Sequence, residues 1–225
     1  MQSEECLAAF KAAFTFWDKL SESEQEDFCR SAAPVSYDKG QNVHGASGKC
    51  TGAIFVRSGA LRTYMLSEDG REITLYRLCP GDICMLSASC VLESITFDVF
   101  VDAVESSECY VINPSVFARL AQKNPYVENF ALRMATERFS EVMWTMQQIL
   151  FMSFDKRLAV FLIDELAKTG GDTVSLTHEQ IAKYIGSARE VVTRMLKYFS
   201  SEKIVSVSRG GVKVLDKKRL QQIAL

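Results

Sequence analysis

From Thr177 to Val214 the chain lays down two short amphipathic helices, a glycine between them and a β-hairpin. Few architectures admit that order. Thr177 and Gln180 have the spacing of a capping box, in which each side chain accepts a hydrogen bond from the other residue's backbone amide. The helix they open carries Ile181 and Ile185 on its apolar side and ends at Gly186, which tolerates the left-handed backbone of a sharp turn. A second helix is predicted from about Ala188 to Phe199, with Val191, Val192, Met195 and Phe199 turned inward. Two short helices joined through a glycine-containing turn make a helix-turn-helix. Behind them, residues 204–207 and 212–214 read as strands joined through Arg209, Gly210 and Gly211, a winged form of that motif.

The second helix carries the chemistry. Arg189, Glu190, Thr193, Arg194 and Lys197 recur at helical spacing on its polar face. An arginine presents two parallel donors that match guanine O6 and N7, and a glutamate accepts from the cytosine amino group. Lys197 is placed to meet phosphate, together with Ser187 and the amides at the helix start. A solvated charged face on an ordinary helix explains the residue types equally well. The combination of capping box, glycine turn, polar face, wing and charge favours a nucleic-acid surface. Residues 151–225 hold 13 basic and 8 acidic side chains, a net +5, whereas residues 1–150 hold 13 basic and 20 acidic, a net −7. A basic segment joined to an acidic one suits a polyanionic partner for the basic part.

The preceding segments are of different texture. Leu7, Phe10, Phe14 and Trp17 recur in threes and fours, so the first thirty residues read as helix, and Ser21 with Glu24 forms a capping box that opens a second short helix. From Pro34 to about residue 113, short β-branched and aromatic runs alternate with glycine turns, including Asp69–Gly70 and Pro80–Gly81. Many short strands at such spacing predict an antiparallel β-roll. Pro125 is expected to open a long helix. Within it Leu132, Ala135, Phe139, Val142, Met146 and Ile149 follow a 3.5-residue repeat, a coiled-coil dimer seam. Phe130, Met134, Met143 and Leu150 form a second apolar flank that would cover the helix's own domain. The alternative is an amphipathic helix packed only on that domain. Ser153 is a candidate N-cap restarting a helix to about Lys168, and residues 152–155 a candidate hinge. The fold class is thus α+β. It comprises an N-terminal helical and β-roll domain over 1–124, a dimerisation helix over 125–152 and a DNA-binding domain over 153–225.

Composition narrows the function classes. Hydrophobic residues make up 48% and charged residues 24% of the 225, which excludes a disordered chain or a disulfide miniprotein. No apolar run reaches the length of a membrane span. The acidic start lacks the basic segment of a signal peptide, so a cytoplasmic location with seven reduced cysteines is expected. No nucleophile elbow, phosphate loop, metal motif or dinucleotide fingerprint appears, so no enzyme is expected.

Taken together these residues resemble the Crp/Fnr family of bacterial transcription regulators over essentially the whole length. Residues 185–194 resemble the recognition helix. Residues 58–61, 68–73 and 79–82 resemble the cyclic-nucleotide-binding β-roll, and the heptad helix resembles the dimerisation helix. The resemblance implies that Arg189, Glu190 and Arg194 read bases. Thr193 falls where some members place a second specificity residue, and Thr177, His178 and Ser187 fall near phosphate contacts. It further implies a homodimer on a pseudo-palindrome in double-stranded DNA, its half-sites roughly 34 Å apart. RNA polymerase is the implied further partner, and no membrane is.

The sensing half departs from the family's pattern. Cyclic-nucleotide members hold the ribose hydroxyl with a glutamate and the cyclic phosphate with an arginine. In the matching stretch 85–97, Leu86 and Thr96 stand there instead, so cAMP is not the expected effector. The candidate pocket of Met85, Leu86, Ser87, Thr96 and Phe97 would suit a small apolar or aromatic molecule. The oxygen-sensing branch holds an iron–sulfur cluster on clustered N-terminal cysteines, whereas Cys6 and Cys29 are far apart in sequence. Most cysteines are expected as core filler, with Cys84 and Cys90 as a possible redox pair and iron–sulfur sensing as the alternative reading. His44 is expected at the surface, which leaves little for haem. No resident cofactor is expected. A ligand-binding module whose helix-turn-helix contacts protein is the other alternative, and it predicts binding indifferent to DNA sequence and salt.

Overall fold

The computed structural model describes residues 2–45, 51–85 and 98–225. The chain divides into two compact units, Met1–Met65 with Leu75–Val142, and Leu66–Thr74 with Met143–Leu225.

The first unit begins with α1 (Gln2–Ala13), a 3-10 turn (Trp17–Lys19) and α2 (Glu22–Arg30). The second short helix expected to open at Ser21 is present as α2, and Phe14 lies beyond the end of α1. The aromatic stripe is buried all the same. Phe10 and Phe14 are essentially inaccessible, and Phe10 meets Phe14, Phe28 and Tyr110 edge-to-face at 5.3–5.5 Å. Edge-to-face packing sets the positive ring edge on the negative face and adds to area burial. Ser21 and Glu24 close the expected capping box on α2.

Eight strands follow: β1 (Ala32–Tyr37), β2 (Asn42–His44), β3 (Ala53–Ser58), β4 (Leu61–Leu66), β5 (Glu72–Leu78), β6 (Ile83–Cys84), β7 (Phe100–Ala103) and β8 (Ser107–Ile112). Among the described residues they form two four-stranded sheets, ordered β1-β8-β3-β6 and β2-β7-β4-β5. Gly70 and Gly81 take positive φ in the predicted turns, and the Asp82 amide donates to the Cys79 carbonyl at 3.0 Å across Pro80–Gly81. Ile54, Leu61, Leu78, Cys84, Val101 and Cys109 fill the space between the sheets. Phe55, Ile83, Met85 and Tyr110 instead face the aromatic helices, with α3 (Pro114–Lys123) and the first turns of α4 (Pro125–Phe151) closing that core.

The second unit holds α5 (Phe154–Thr169), β9 (Thr173–Val174), α6 (His178–Ile185), α7 (Arg189–Ser201), β10 (Val205–Ser208), β11 (Gly211–Val214) and α8 (Lys217–Ala224). Ser153 occupies the N-cap of α5 as expected, but its hydroxyl accepts no backbone amide. Leu158, Leu162, Val192, Leu196, Phe199 and Leu220 are all completely buried. The inward face of α7 is thus Val192, Leu196 and Phe199. Val191 and Met195, predicted inward, are only half-buried, because the core lies one residue further round the helix. Strand β9 adds a third strand to the hairpin, Val174 opposite Val212. Helix α8, absent from the sequence reading, packs Leu220 into the same core, and Asp216 caps it by accepting from the Arg219 amide.

Helix α4 differs from expectation in register. Leu132, Phe139, Met143, Met146 and Leu150 are exposed, whereas Ala135, Val142 and Ile149 are half-buried. Val142 packs against the β-roll core. The exposed apolar row of α4 therefore runs through positions 132, 139, 143, 146 and 150. Met143 and Leu150, read as the flank covering the helix's own domain, are exposed with it. No helix among the described residues is long and apolar enough to cross a membrane.

Candidate nucleic-acid interface

The Thr177 hydroxyl accepts from the Gln180 amide at 3.2 Å, and the Gln180 side chain accepts from the Thr177 amide at 2.8 Å. Two of the amides orphaned at a helix start are thereby satisfied. Gly186 ends α6 in the left-handed conformation at φ 62°, and the Ser187 amide returns to the Ala182 carbonyl at 2.9 Å. This turn sets the start of α7. Arg189, Glu190, Thr193, Arg194 and Lys197 are all exposed on α7, opposite the buried face. The five predicted side chains share one solvent face.

Ser187 fits its predicted role less well. It is half-buried and its amide is committed to Ala182, so it has no backbone donor left for phosphate. His178 is more informative. Its Nδ1 lies 2.9 Å from Thr193 Oγ1, and that hydroxyl donates to the Arg189 carbonyl at 2.9 Å. A hydroxyl has one proton, so Nδ1 must carry hydrogen and donate to the threonine. Nε2 is then an acceptor unless the ring is protonated. Burial, and then the Arg189 charge, hold the His178 pKa below the ordinary histidine value.

The wing supplies a residue the sequence reading did not single out. A cleft of about 300 Å³ is bounded by Thr177 and His178 on one side and by Ser208, Arg209 and Gly210 on the other. Arg209 sits at the hairpin turn, exposed. Its place between two strands was the available signal. Gly211 is required here, since a Cβ would lie 2.3 Å from the Val174 carbonyl oxygen at φ +140°. The second unit also includes the segment 66–74, whose Glu72 pairs with Lys183 at 2.9 Å and whose Thr74 hydroxyl donates to the Lys183 carbonyl at 3.0 Å. Ile73 faces Gly186, 3.3 Å from where a Cβ would stand. The glycine turn is therefore gripped from outside the motif.

The candidate sensing residues fare differently. Met85 is 1% exposed and belongs to the aromatic helical core. Leu86, Ser87, Thr96, Phe97 and Cys90 lie outside the described residues. Cys84 is fully buried between the two sheets. His44, expected at the surface, is half-buried beside Thr51 at 2.7 Å, and burial lowers its pKa. The structure instead gathers a polar group where α4 meets the β-roll. Arg138 pairs with Glu141 at 2.8 Å and Asp82 at 3.7 Å and stacks over Tyr76 at 4.8 Å. Arg138 Nε, Tyr76 OH and Thr63 Oγ1 are buried without hydrogen-bond partners among the described residues. Such atoms cost free energy unless something satisfies them. Arginine among apolar heptad positions was the only sequence signal for this cluster.

Comparison with known proteins agrees with this geometry. The model of the Crp-like helix-turn-helix domain matches residues 156–223, and that of the cyclic nucleotide-binding domain matches residues 34–124. A crystal structure from Eubacterium rectale, described as a transcriptional regulator of the Crp/Fnr family, is 40% identical with a TM-score of 0.90. The match covers 94% of this chain and 98% of that one. The transcriptional activator protein Anr of Pseudomonas aeruginosa is 26% identical over 182 residues, 77% of this chain and 73% of its own. The cyclic AMP receptor protein of Thermus thermophilus is 25% identical over 169 residues, 75% of this chain and 77% of its own. With a winged helix-turn-helix, a β-roll of the cyclic-nucleotide-binding type and a relative this similar over nearly its full length, the chain belongs to the Crp/Fnr family of transcriptional regulators.

Proposed function

We propose that the protein is a cytoplasmic homodimer that reads a pseudo-palindromic site in double-stranded DNA and whose affinity is gated by a small effector other than cAMP. The observation that carries this reading is the exposed face of Arg189, Glu190, Thr193 and Arg194 beside the wing cleft. Arg189, Glu190 and Arg194 contact base edges, Thr193 tunes their choice, and Thr177, Lys197 and Arg209 hold phosphate. Residues 1–124 sense, residues 125–152 dimerise and residues 153–225 bind DNA. The bound dimer works through contact with RNA polymerase. The effector meets Arg138, Tyr76 and Thr63, whose buried polar atoms it would satisfy. Its binding shifts the dimer helices and, through the hinge near Ser153, the spacing of the two recognition helices. The Glu72–Lys183 contact on the glycine turn gives that shift a second handle. The test is selection from a randomised duplex pool followed by affinity measurement across salt. The expected result is a two-fold-symmetric site with half-sites about one helical turn apart and affinity falling steeply with salt. Binding indifferent to sequence and salt would overturn the reading in favour of a protein-contact role.

His178 adds a pH dependence. Its depressed pKa means that the folded free protein binds fewer protons than the unfolded chain, so stability from this group declines as pH falls through the ordinary histidine range. Phosphate beside Nε2 favours the protonated ring, so binding takes up a proton. Operator affinity at constant salt is expected to rise several-fold from mildly alkaline to mildly acidic pH, and His178→Asn to flatten that rise. An unchanged slope in the variant would remove His178 from the phosphate contacts.

A further inference from the structure

We propose that Cys6 and Cys29 form an oxidisable dithiol, a site at which a peroxide-class oxidant closes an intramolecular disulfide between α1 and α2. This goes beyond the DNA-binding reading and does not rest on it. Although 23 positions apart, the two sulfurs lie 3.3 Å from each other, with the Cys6 thiol donating to Cys29. A disulfide needs the sulfurs at about 2.05 Å, so closing the bond shortens the present 3.3 Å separation by a little over 1 Å. The two cysteines also differ in access. Cys6 is 4% exposed, whereas Cys29 is half-buried. Both border an open surface pocket of about 480 Å³ that Glu26, Arg30, Pro34 and Tyr110 also line. A molecule the size of hydrogen peroxide reaches the pair from there. Among the described residues no group of three or more metal-ligating side chains includes them.

Access assigns the roles. Cys29 is the more exposed sulfur and Cys6 the buried one, so Cys29 meets the oxidant and attacks, and Cys6 resolves. The Cys29 thiolate attacks one peroxide oxygen; the S–O bond forms, the O–O bond breaks and, with one proton taken up, water leaves. Cys6 sulfur then attacks the sulfenic sulfur; the S–S bond forms, the S–O bond breaks and hydroxide leaves, taking the Cys6 proton as water. In sum two thiols and one peroxide give one disulfide and two waters, with the sulfurs oxidised by two electrons and the peroxide reduced by two. Burial pushes the Cys6 thiol up to about 12 and raises Cys29 as well, so the reaction is slow against neutral thiols and sharpens with pH. The bond would tie α1, and with it Phe10, to α2.

The experiment uses the full chain, reduced under anaerobic conditions, freed of reductant and treated with a small excess of hydrogen peroxide. It is then quenched with an alkylating agent and read by intact mass and peptide mapping. The expected product is a monomeric chain with two of its seven thiols protected and one linked peptide pair joining Cys6 to Cys29. Cys29→Ser is expected to abolish the link and leave Cys6 alkylatable. Cys6→Ser is expected to stop Cys29 at the sulfenic stage, which a dimedone-type trap captures. Seven free thiols after treatment, a link between other cysteines, or a link only between chains would overturn the proposal. None of these readouts involves DNA, so its failure is distinct from failure of the DNA-binding reading.

Discussion

Replacing Arg189 and Arg194 together by alanine is expected to reduce affinity for the selected operator to the level of random duplex, a loss of about 10³-fold or more. A two-pronged arginine–guanine contact discriminates by about 1–3 kcal/mol, and the two-fold axis counts each contact twice. Two arginines lost from each protomer therefore exceed the window that separates specific from non-specific binding. Both side chains stand on the face of α7 opposite Val192, Leu196 and Phe199, so the core is untouched and the thermal midpoint should hold. Fluorescence anisotropy against operator and scrambled duplexes at two salt concentrations checks this. Arg209→Ala is the contrast. As a phosphate contact from the wing, its loss should weaken both duplexes alike and flatten the salt slope by about one unit per contact. If the double variant lost both duplexes equally, the arginines would be phosphate contacts and base reading would lie elsewhere.

Phe139→Glu is expected to convert the protein to a folded monomer at micromolar concentration and to reduce full-site binding to that of a single half-site. Phe139 is 64% exposed, midway along a seam that includes Leu132, Met143, Met146 and Leu150. An apolar row of that length on a lone chain is an unfilled interface. At a two-fold seam the substitution acts twice: a large aromatic contact is lost from each helix and two carboxylates face each other. Truncating one buried phenylalanine costs about 3–5 kcal/mol, enough alone to shift a dimer by more than 10² in dissociation constant. Sedimentation velocity and circular dichroism together give the reading, since the helix content should persist in the monomer. A dimer that survived would place the seam elsewhere. Val142→Glu should behave differently. Val142 packs on the β-roll, so its charge would strike folding before assembly.

What is legible in the sequence follows the range of the interactions concerned. The capping boxes at Ser21 and Thr177, the turns at Gly70, Gly81 and Gly186, and the polar face of α7 were all legible. Each closes between residues three or four apart, so the partners are visible in the sequence. Where a tertiary neighbour decides the outcome, the local sequence does not specify it. The heptad of α4 could be counted in two adjacent registers, and only the β-roll under Val142 chose between them. Leu196 replaced Val191 in the core for the same reason, because the direction of burial depends on what packs behind the helix. Met85 packs against the aromatic helices, and His44 is half-buried. Arg209 drew its interest from the cleft it shares with His178, a contact across the wing.

Local hydrogen-bond closure and hydrophobic period thus determined the order of helices and strands, the helix-turn-helix and the family. Tertiary packing alone decided which apolar positions stay exposed, which polar atoms are buried around Arg138, and that Cys6 and Cys29 meet. A side chain's nearest neighbours in the chain are set by covalent geometry. Its neighbours across two helices or two sheets depend on how rigid elements dock, and that docking is a property of the whole packed core.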